Sequence, residues 1–465
     1  MIGRNLAGIV AAQALFLVAG IGILWALQRF RTWADVLRAA GLAYLLGVAT
    51  VGVLATLVLV AGGGVGIAVV LALALGVFAL GGVAARIRRH GVPHAHGFTR
   101  PVATPETLFA AAVALLTAAV LFAFYRVARH QGLVAWDAWA FWVPKAKGIY
   151  FFGGLDDRLF HQLTHPSYPL LVPAVQALDF RLIGSADAGA IALQYWFLLV
   201  GFVLAAWFLL RPLVRPALVW PFLALAAVLP ELDKRMINPQ ADWPLDIFFA
   251  IGALAAARWL VTREGWLLGV YGVMLAAAMA TKREGQLLTV CLVAALLLVT
   301  WRRARTAWPR LVALAAGGYL VNLPWRFWWT SRHLSPDAPE VSVGNLPHYA
   351  DRIAPGFRIV FELLFDYNLW LLSAPLAVAA AVLLLWQREP ELPVLYLVTC
   401  ALTIVGFMWV LWAFPSLPLD LSQQEPIPRE VGSLVLLSIV FAPLLLSRVL
   451  ATGEEPAVAA AVPAT

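Results

Sequence analysis

The chain has 465 residues, of which 62% are hydrophobic and 12% are charged, and its formal net charge is +8. A soluble domain carries about twice that charged fraction, so the composition excludes an ordinary soluble protein. Many apolar runs have roughly 18 or more residues, the length needed to cross a hydrocarbon core about 30 Å thick. They predict an all-α, polytopic transmembrane helical bundle.

The hydrophobic pattern predicts about thirteen helices in chain order. They lie near 6–27, 39–60, 65–85, 105–125, 187–210, 216–230, 244–261, 265–281, 285–301, 309–326, 360–386, 393–414 and 432–447. The first run is too long for the core of a signal peptide, so we expect it to be retained. The chain then divides into N-terminal helices over 1–104, a larger transmembrane region over 105–450 and a disordered tail over 451–465.

Arginines recur in every second loop of this helix pattern. They follow the first, third, fifth, seventh and ninth predicted helices, as in Arg31, Arg88, Arg211, Arg263 and Arg303. The positive-inside rule makes this face cytoplasmic, in the plasma (inner) membrane of the cell. The positive charge therefore marks topology, and no basic run is long enough to indicate a nucleic-acid partner.

The same topology places the long loops outside, at 126–186, 231–243, 327–359 and 415–431, where most of the Asp, His, Lys and Tyr residues lie. We therefore expect the protein to act at its outer face. Cys291 and Cys400 fall within apolar segments, which predicts buried packing residues and no disulfide framework.

Asp137 is the most unusual residue of the first long loop. It lies in the loop that follows the fourth apolar helix and is flanked by Trp136 and Trp139. A carboxylate at a membrane boundary is costly unless it is solvated, paired or used. It could cap the next helix or take part in chemistry, and both interpretations stay open.

The segment 138–152 is aromatic and too charged to span a membrane, which predicts a helix lying in the membrane interface. Its Lys145 and Lys147 could reach lipid phosphates or bind the phosphate of a lipid substrate. Residues 165–169 read HPSYP, and the two prolines predict an extended entry to the next helix. His165 and Tyr168 could hold a phosphate or a sugar there.

Later segments add more charged candidates. Asp242 precedes an apolar helix that it could cap, and Lys282 interrupts an apolar stretch together with Glu284. Lys282 could face the bundle interior with Glu284 as its partner, or both could be solvated in a hairpin. Arg429 comes just before the last helix, and cations gathered around a carboxylate would suit a phosphate leaving group.

Several enzyme classes have no support in the sequence. There is no P-loop pattern, no zinc motif such as H-E-x-x-H or paired cysteines, and no G-x-S-x-G element. No long soluble domain is present to bind a nucleotide sugar, so a sugar donor should be carried by a lipid.

These segments together resemble the GT-C superfamily of membrane glycosyltransferases. The likeness is to bacterial relatives of protein O-mannosyltransferases and of lipid A aminoarabinose transferases. It covers roughly 105–450 and is carried by 136–138 (WDA), 145–147 (KAK), 165–169 (HPSYP), 242–245 (DWPL) and 281–285 (TKREG). Three extra helices precede the helix at 105–125 and its acidic loop, where such enzymes usually have one helix, and the second proline of a Pro-Pro pair is missing.

The resemblance implies transfer of a sugar from a polyprenyl-phosphate donor to a glycan, lipid or protein acceptor at the outer face, with inversion. It implies that Asp137 is the catalytic carboxylate, with Asp156, Asp157, Asp242 and Glu284 as further acidic candidates. A divalent cation is possible, because some members of the superfamily need one and others do not. The alternatives are a transporter or lipid flippase, and a membrane scaffold without activity.

Overall fold

The protein is described here from a computed structural model that covers residues 3–28, 30–94, 103–130, 132–231, 234, 239–335, 350–413 and 426–454. Within these ranges the regular structure is helical, with one isolated bridge between Thr32 and His94. The all-α prediction is therefore confirmed for this part of the chain. Much of the predicted loops 231–243, 327–359 and 415–431, and the tail from 455, lie outside these ranges.

The described residues form nineteen α-helices, numbered here in chain order. These are α1 Gly3–Leu27, α2 Trp33–Arg38, α3 Ala40–Val60, α4 Ile67–Ile87, α5 Pro105–Ala128, α6 Val143–Phe152, α7 Asp157–Gln162, α8 Leu171–Ile183, α9 Ala188–Leu210, α10 Pro216–Ala226, α11 Asp242–Thr262, α12 Trp266–Thr281, α13 Glu284–Thr300, α14 Trp308–Ser331, α15 Ile353–Leu364, α16 Tyr367–Trp370, α17 Ser373–Trp386, α18 Glu391–Ala413 and α19 Pro426–Glu454. A π-helical turn, Ala138–Trp142, leads into α6.

Eight of the described helices are long and apolar enough to cross a membrane: α1, α3, α4, α5, α9, α11, α18 and α19. Four more, α10, α12, α13 and α17, are apolar but have only 10–17 residues. The chain is thus a multi-pass membrane protein by length and composition. The count of thirteen spans stays a prediction.

One predicted helix is wrong. The segment 360–386 is not continuous but is divided among α15, α16 and α17. Asp366 caps α16 by accepting a hydrogen bond from the backbone N–H of Asn368 at 2.8 Å, and Leu371 adopts a φ of 52°. A left-handed residue cannot continue an α-helix, so the chain turns between α16 and α17. The apolar composition alone hid this break.

The N-terminal helices belong to the same core as the rest of the chain. Buried residues of α1 and α3 pack with those of α8 and α9 in one hydrophobic cluster. Asp179 on α8 joins these helices, since it accepts hydrogen bonds from Gln13 on α1 at 2.9 Å and from Gln194 on α9 at 2.6 Å. Tyr44 on α3 donates to Gln13 at 2.7 Å. The boundary predicted between residues 104 and 105 therefore does not separate two hydrophobic cores in the described part of the chain.

The bundle has two chemically different ends. Asp242 at the start of α11 lies beside Lys282 at the end of α12, and this end is called the site end. At the other end, Leu260 of α11 lines a cleft together with Glu391 of α18 and Arg448 of α19. The short arginine-bearing loops after α9, α11 and α13 lie there too, so this end is called the arginine end.

The crossing of α1 and α3 depends on two glycines. A Cβ atom at Gly47 would lie 1.7 Å from the carbonyl oxygen of Phe16, and one at Gly20 would lie 1.6 Å from that of Ala43. These distances exclude any side chain, so the two backbones can touch only because both positions are glycine.

We expect Gly47→Ala to lower the free energy of unfolding by about 2 kcal/mol, because the helices must separate to admit the methyl group. Gly76→Ala on α4 is the matched control, since a Cβ there meets nothing within 4 Å. That control should be neutral or stabilising by up to about 1 kcal/mol. Thermal unfolding in detergent compares the two, and an equal effect of both changes would contradict the packing argument.

Candidate functional site

Asp137 lies at the start of the helical segment that ends with α6. Its side chain makes no capping hydrogen bond to the backbone. The π-helical turn that follows is explained by Pro144, which has no N–H to donate and whose ring clashes with the carbonyl four residues earlier. Turns of this kind often occur at functional sites because they re-aim neighbouring side chains. The cap interpretation of Asp137 is therefore wrong, and its carboxylate points elsewhere.

The carboxylate of Asp137 is held by Arg429. Arg429 Nη1 donates to Asp137 Oδ2 at 2.5 Å, and the two side chains are each 18% exposed. The same Nη1 lies 4.0 Å from Asp242 Oδ2. Arg429 on α19 therefore joins two carboxylates that are separated by more than a hundred residues in the chain.

Lys282 extends this network on its other side. Its Nζ lies 2.9 Å from Asp242 Oδ1 and 3.0 Å from Glu284 Oε1. Lys282 and Asp242 are both buried, with side chains 8% and 4% exposed. The interior-facing arrangement with Glu284 as partner is thus present. Asp242 is the first residue of α11, after Ala241 at the cap position, and its side chain pairs with Lys282.

A tight hairpin between α12 and α13 positions Lys282 and Glu284. A Cβ atom at Gly285 would lie 2.2 Å from the carbonyl oxygen of Ala278, so the two helices approach closely there. Because the two helices are so close, the side chain of Lys282 is directed inward, toward α11. We call the five residues Asp137, Asp242, Lys282, Glu284 and Arg429 the charge network.

Residues 165–169 do not form the extended segment that the prolines predicted. The backbone N–H of Tyr168 donates to the carbonyl of His165 at 3.4 Å, and His165 has a φ of 52°. Pro166 therefore occupies the second position of a four-residue turn, a place that its fixed φ favours. Helix α8 begins directly after this turn, at Leu171, as the second proline predicted.

Aromatic rings hold this turn against the π-helical segment. The ring of Tyr168 stacks on His165 with centroids 5.1 Å apart and on Trp142 with centroids 5.6 Å apart. His165 also contacts the edge of Phe141 at 4.8 Å and of Trp136 at 6.4 Å, so it lies next to the residue before Asp137. His165 and Tyr168 therefore lie against the helical segment that contains Asp137.

Lys145 does not reach toward solvent or lipid. It is fully buried, and its Nζ donates to the carbonyl of His165. The rings of Phe141, Trp142 and Tyr168 surround the ammonium at 5.6–5.8 Å. Such contacts stabilise a desolvated cation. In this arrangement Lys145 positions the turn at His165, and it is not placed to bind a phosphate directly.

Three other predicted residues lie apart from the charge network. Asp156 caps α7, because its carboxylate accepts a hydrogen bond from the N–H of Leu159 at 2.8 Å. Asp157 is about half exposed and lies 3.6 Å from Arg332. Lys147 is half-buried on α6 and makes no ion pair with another described residue. Asp156 therefore has a structural role as a helix cap, Asp157 lies at the surface, and Lys147 is half-buried on α6.

Two contacts of the site were not predicted from the sequence. Arg283 donates to the hydroxyl of Ser167, which ties the 281–285 hairpin to the turn at His165. Ser433 on α19 donates to Asp246, which is buried one turn beyond Asp242 on α11. The spacing of four residues between Asp242 and Asp246 was the available signal, because such positions share one face of a helix.

Each carboxylate of the charge network has a cation beside it. Asp137 contacts Arg429, while Asp242 and Glu284 contact Lys282. Within the described ranges, no three His, Cys, Asp or Glu side chains are grouped so that they could share a metal ion. The arrangement can bind an anion by exchange for a carboxylate, and it can accept a proton at that carboxylate.

Comparison of the chain with protein-family models, with curated proteins and with solved structures finds no match. The resemblance to membrane glycosyltransferases stays a prediction.

We expect Lys282→Met to be strongly destabilising, because it leaves the buried Asp242 without its nearest cation. Removing one partner of a buried ion pair costs about 3–5 kcal/mol. Thermal unfolding in detergent measures the loss, with Lys147→Met as the control, since Lys147 has no ion pair among the described residues.

The double change Lys282→Met with Asp242→Asn tests the same pair. It should be less damaging than the sum of the two single changes, since the carboxylate that would be left unpaired is gone. Strictly additive losses would show that the two side chains do not interact.

Proposed function

We propose that this protein is an integral membrane glycosyltransferase of the GT-C type. It would transfer a sugar from a polyprenyl-phosphate donor to an acceptor hydroxyl at the site end of the bundle, with inversion at the anomeric carbon. The acceptor would be a glycan, a lipid or a protein. On the positive-inside rule the arginine end is cytoplasmic, so the site end would face the outside of the plasma membrane.

The observation that carries the proposal is the charge network. Asp137, Asp242, Lys282 and Arg429 come from distant segments, yet they form one chain of ion pairs with contacts of 2.5–4.0 Å. Desolvated charges of this kind are expensive, and pairing them rarely stabilises a fold more than apolar packing would. A scaffold would not need this convergence, whereas an enzyme that handles a phosphate would.

A phosphate that binds Arg429 or Lys282 must compete with a carboxylate, because both cations already contact carboxylates. Asp242 engages both Lys282 and Arg429 and is 4% exposed, so it is the least replaceable partner. Asp137 engages Arg429 and is more exposed at 18%. We therefore assign the Arg429 contact with Asp137 as the one that the donor phosphate replaces, since phosphate matches the guanidinium fork as well as carboxylate does.

This exchange would couple donor binding to catalysis. Once Arg429 turns to the phosphate, Asp137 Oδ2 is free to accept the proton of the acceptor hydroxyl. The hydroxyl oxygen forms a bond to the anomeric carbon while the bond from that carbon to the phosphate oxygen breaks. The electron pair leaves with the lipid phosphate, whose charge Arg429 and Lys282 stabilise.

A transporter or lipid flippase is the competing interpretation, because buried charges also occur in such proteins. The two differ in what they do with a donor. A glycosyltransferase releases lipid phosphate only when a polyprenyl-phosphate sugar and an acceptor are both present. Uptake of solute into vesicles without any donor, with no sugar-dependent release of lipid phosphate from a panel of donors, would contradict the proposal.

We expect Asp137→Asn to reduce sugar-dependent release of lipid phosphate at least about 100-fold, since a positioned general base contributes factors of that order. Membrane insertion should persist. Asp157→Asn is the matched control, because Asp157 lies in the same loop but at the surface beside Arg332.

Full activity of Asp137→Asn would remove Asp137 from the role of base. If activity were then lost in Asp242→Asn or Glu284→Gln, the base would be one of those carboxylates.

Arg429→Lys should preserve the charge but lose the planar fork that binds carboxylate or phosphate. We expect kcat/KM for the lipid-linked donor to fall at least about tenfold, with KM raised because the donor phosphate is bound less tightly and kcat lowered because the leaving phosphate is less stabilised. Steady-state kinetics with purified donor give the two constants. An unchanged KM for the donor would argue against a phosphate contact at Arg429.

A further inference from the structure

A second charged cleft lies at the arginine end, far from the charge network along α13. It has a volume of about 550 Å³ and lies between the last turn of α13 and the first turn of α18. Its lining residues are Leu298, Val299, Trp301, Arg302, Arg303, Pro390, Glu391 and Val394. This size is within the range of clefts that hold a small ligand.

The rim of the cleft is positively charged. Arg302 is exposed and has no acidic partner among the described residues, while Arg303 donates to Glu391 and is 71% exposed. Arg305 stacks on Trp301 at 4.9 Å and on Trp308 at 5.3 Å, which adds a third guanidinium beside the rim. Two arginines and one glutamate line the cleft and Arg305 lies beside Trp301, so the lining has a net positive charge and is complementary to an anion.

The walls of the cleft are apolar and continue onto the lipid-facing side of α13. Leu298 is 56% exposed and Val290, two turns earlier on the same helix, is 65% exposed. Trp301 is 54% exposed at the level of the arginines. An indole at the end of an apolar helix, with aliphatic residues on one side and cations on the other, is typical of the headgroup level of a membrane.

We propose that this cleft binds an anionic phospholipid from the surrounding leaflet. Its phosphate would contact Arg302 and Arg303, and its acyl chains would lie along Leu298, Val299 and Val394. A free anion would contact the arginines but would make no contact with the apolar walls of the cleft. The proposal does not depend on the glycosyltransferase function, because the charge network lies at the opposite end of the bundle.

The test compares lipid retention by the full-length protein in native mass spectrometry after purification with phosphatidylglycerol or phosphatidylcholine. Phosphatidylglycerol should be retained in preference. Arg302→Gln with Arg303→Gln should weaken its retention about thirtyfold, the factor expected for two arginines that each contribute about 1 kcal/mol beside an anionic lipid.

The matched control is Arg86→Gln with Arg89→Gln, which removes the same charge at the same end but outside the cleft, and it should retain the lipid. Glu391→Gln should strengthen retention several-fold, because Arg303 is released from its carboxylate. This gain cannot arise from misfolding.

Three results would overturn the proposal. The first is equal loss of lipid in the cleft variant and the control variant, which would indicate a general charge effect. The second is equal retention of phosphatidylcholine and phosphatidylglycerol. The third is displacement of the lipid by millimolar glycerol phosphate, which would indicate a surface anion site without a role for the acyl chains.

Discussion

Charge taken out of water must be matched by opposite charge, and at the site end of this bundle the matching partners lie far apart in the chain. Asp137 and Arg429 are separated by 292 positions, and Asp242 and Lys282 by 40. Each pair can form only if the helices that carry it meet at the correct height. The charge network therefore sets the relative positions of α11, the α12–α13 hairpin, α19 and the helical segment after α5.

A close backbone contact at Gly285 helps to hold the charge network together. Gly285 allows the hairpin to close, so that Lys282 turns inward instead of into solvent. Arg283, the next residue, donates to the hydroxyl of Ser167 and so ties the same hairpin to the turn at His165. The turn at His165 is in turn fixed by the buried Lys145. One short charged sequence thus serves both the network and the neighbouring aromatic surface.

The two ends of the molecule use cations in different ways. At the site end the cations are buried and paired with carboxylates, so an anion must compete for them. At the arginine end Arg302 and Arg303 are exposed above apolar walls, so an anionic headgroup can approach without displacing a buried group. This contrast is why the first is proposed as a place for chemistry and the second as a place for a structural lipid.

The sequence by itself determined the helical class, most of the helix positions and the candidates Asp137, Asp242, Lys282, Glu284 and Arg429, because long apolar runs and isolated charges at their ends are local signals. The tertiary structure alone decided which candidates meet. Lys145 and Lys147 looked equivalent, yet Lys145 is enclosed by aromatic rings, whereas Lys147 is half-buried and has no ion pair within the described part of the chain. Asp156 caps α7, and the segment 360–386 forms three separate helices. These outcomes depend on packing between residues distant in sequence and on backbone turns. The local hydrophobic pattern predicts neither of them.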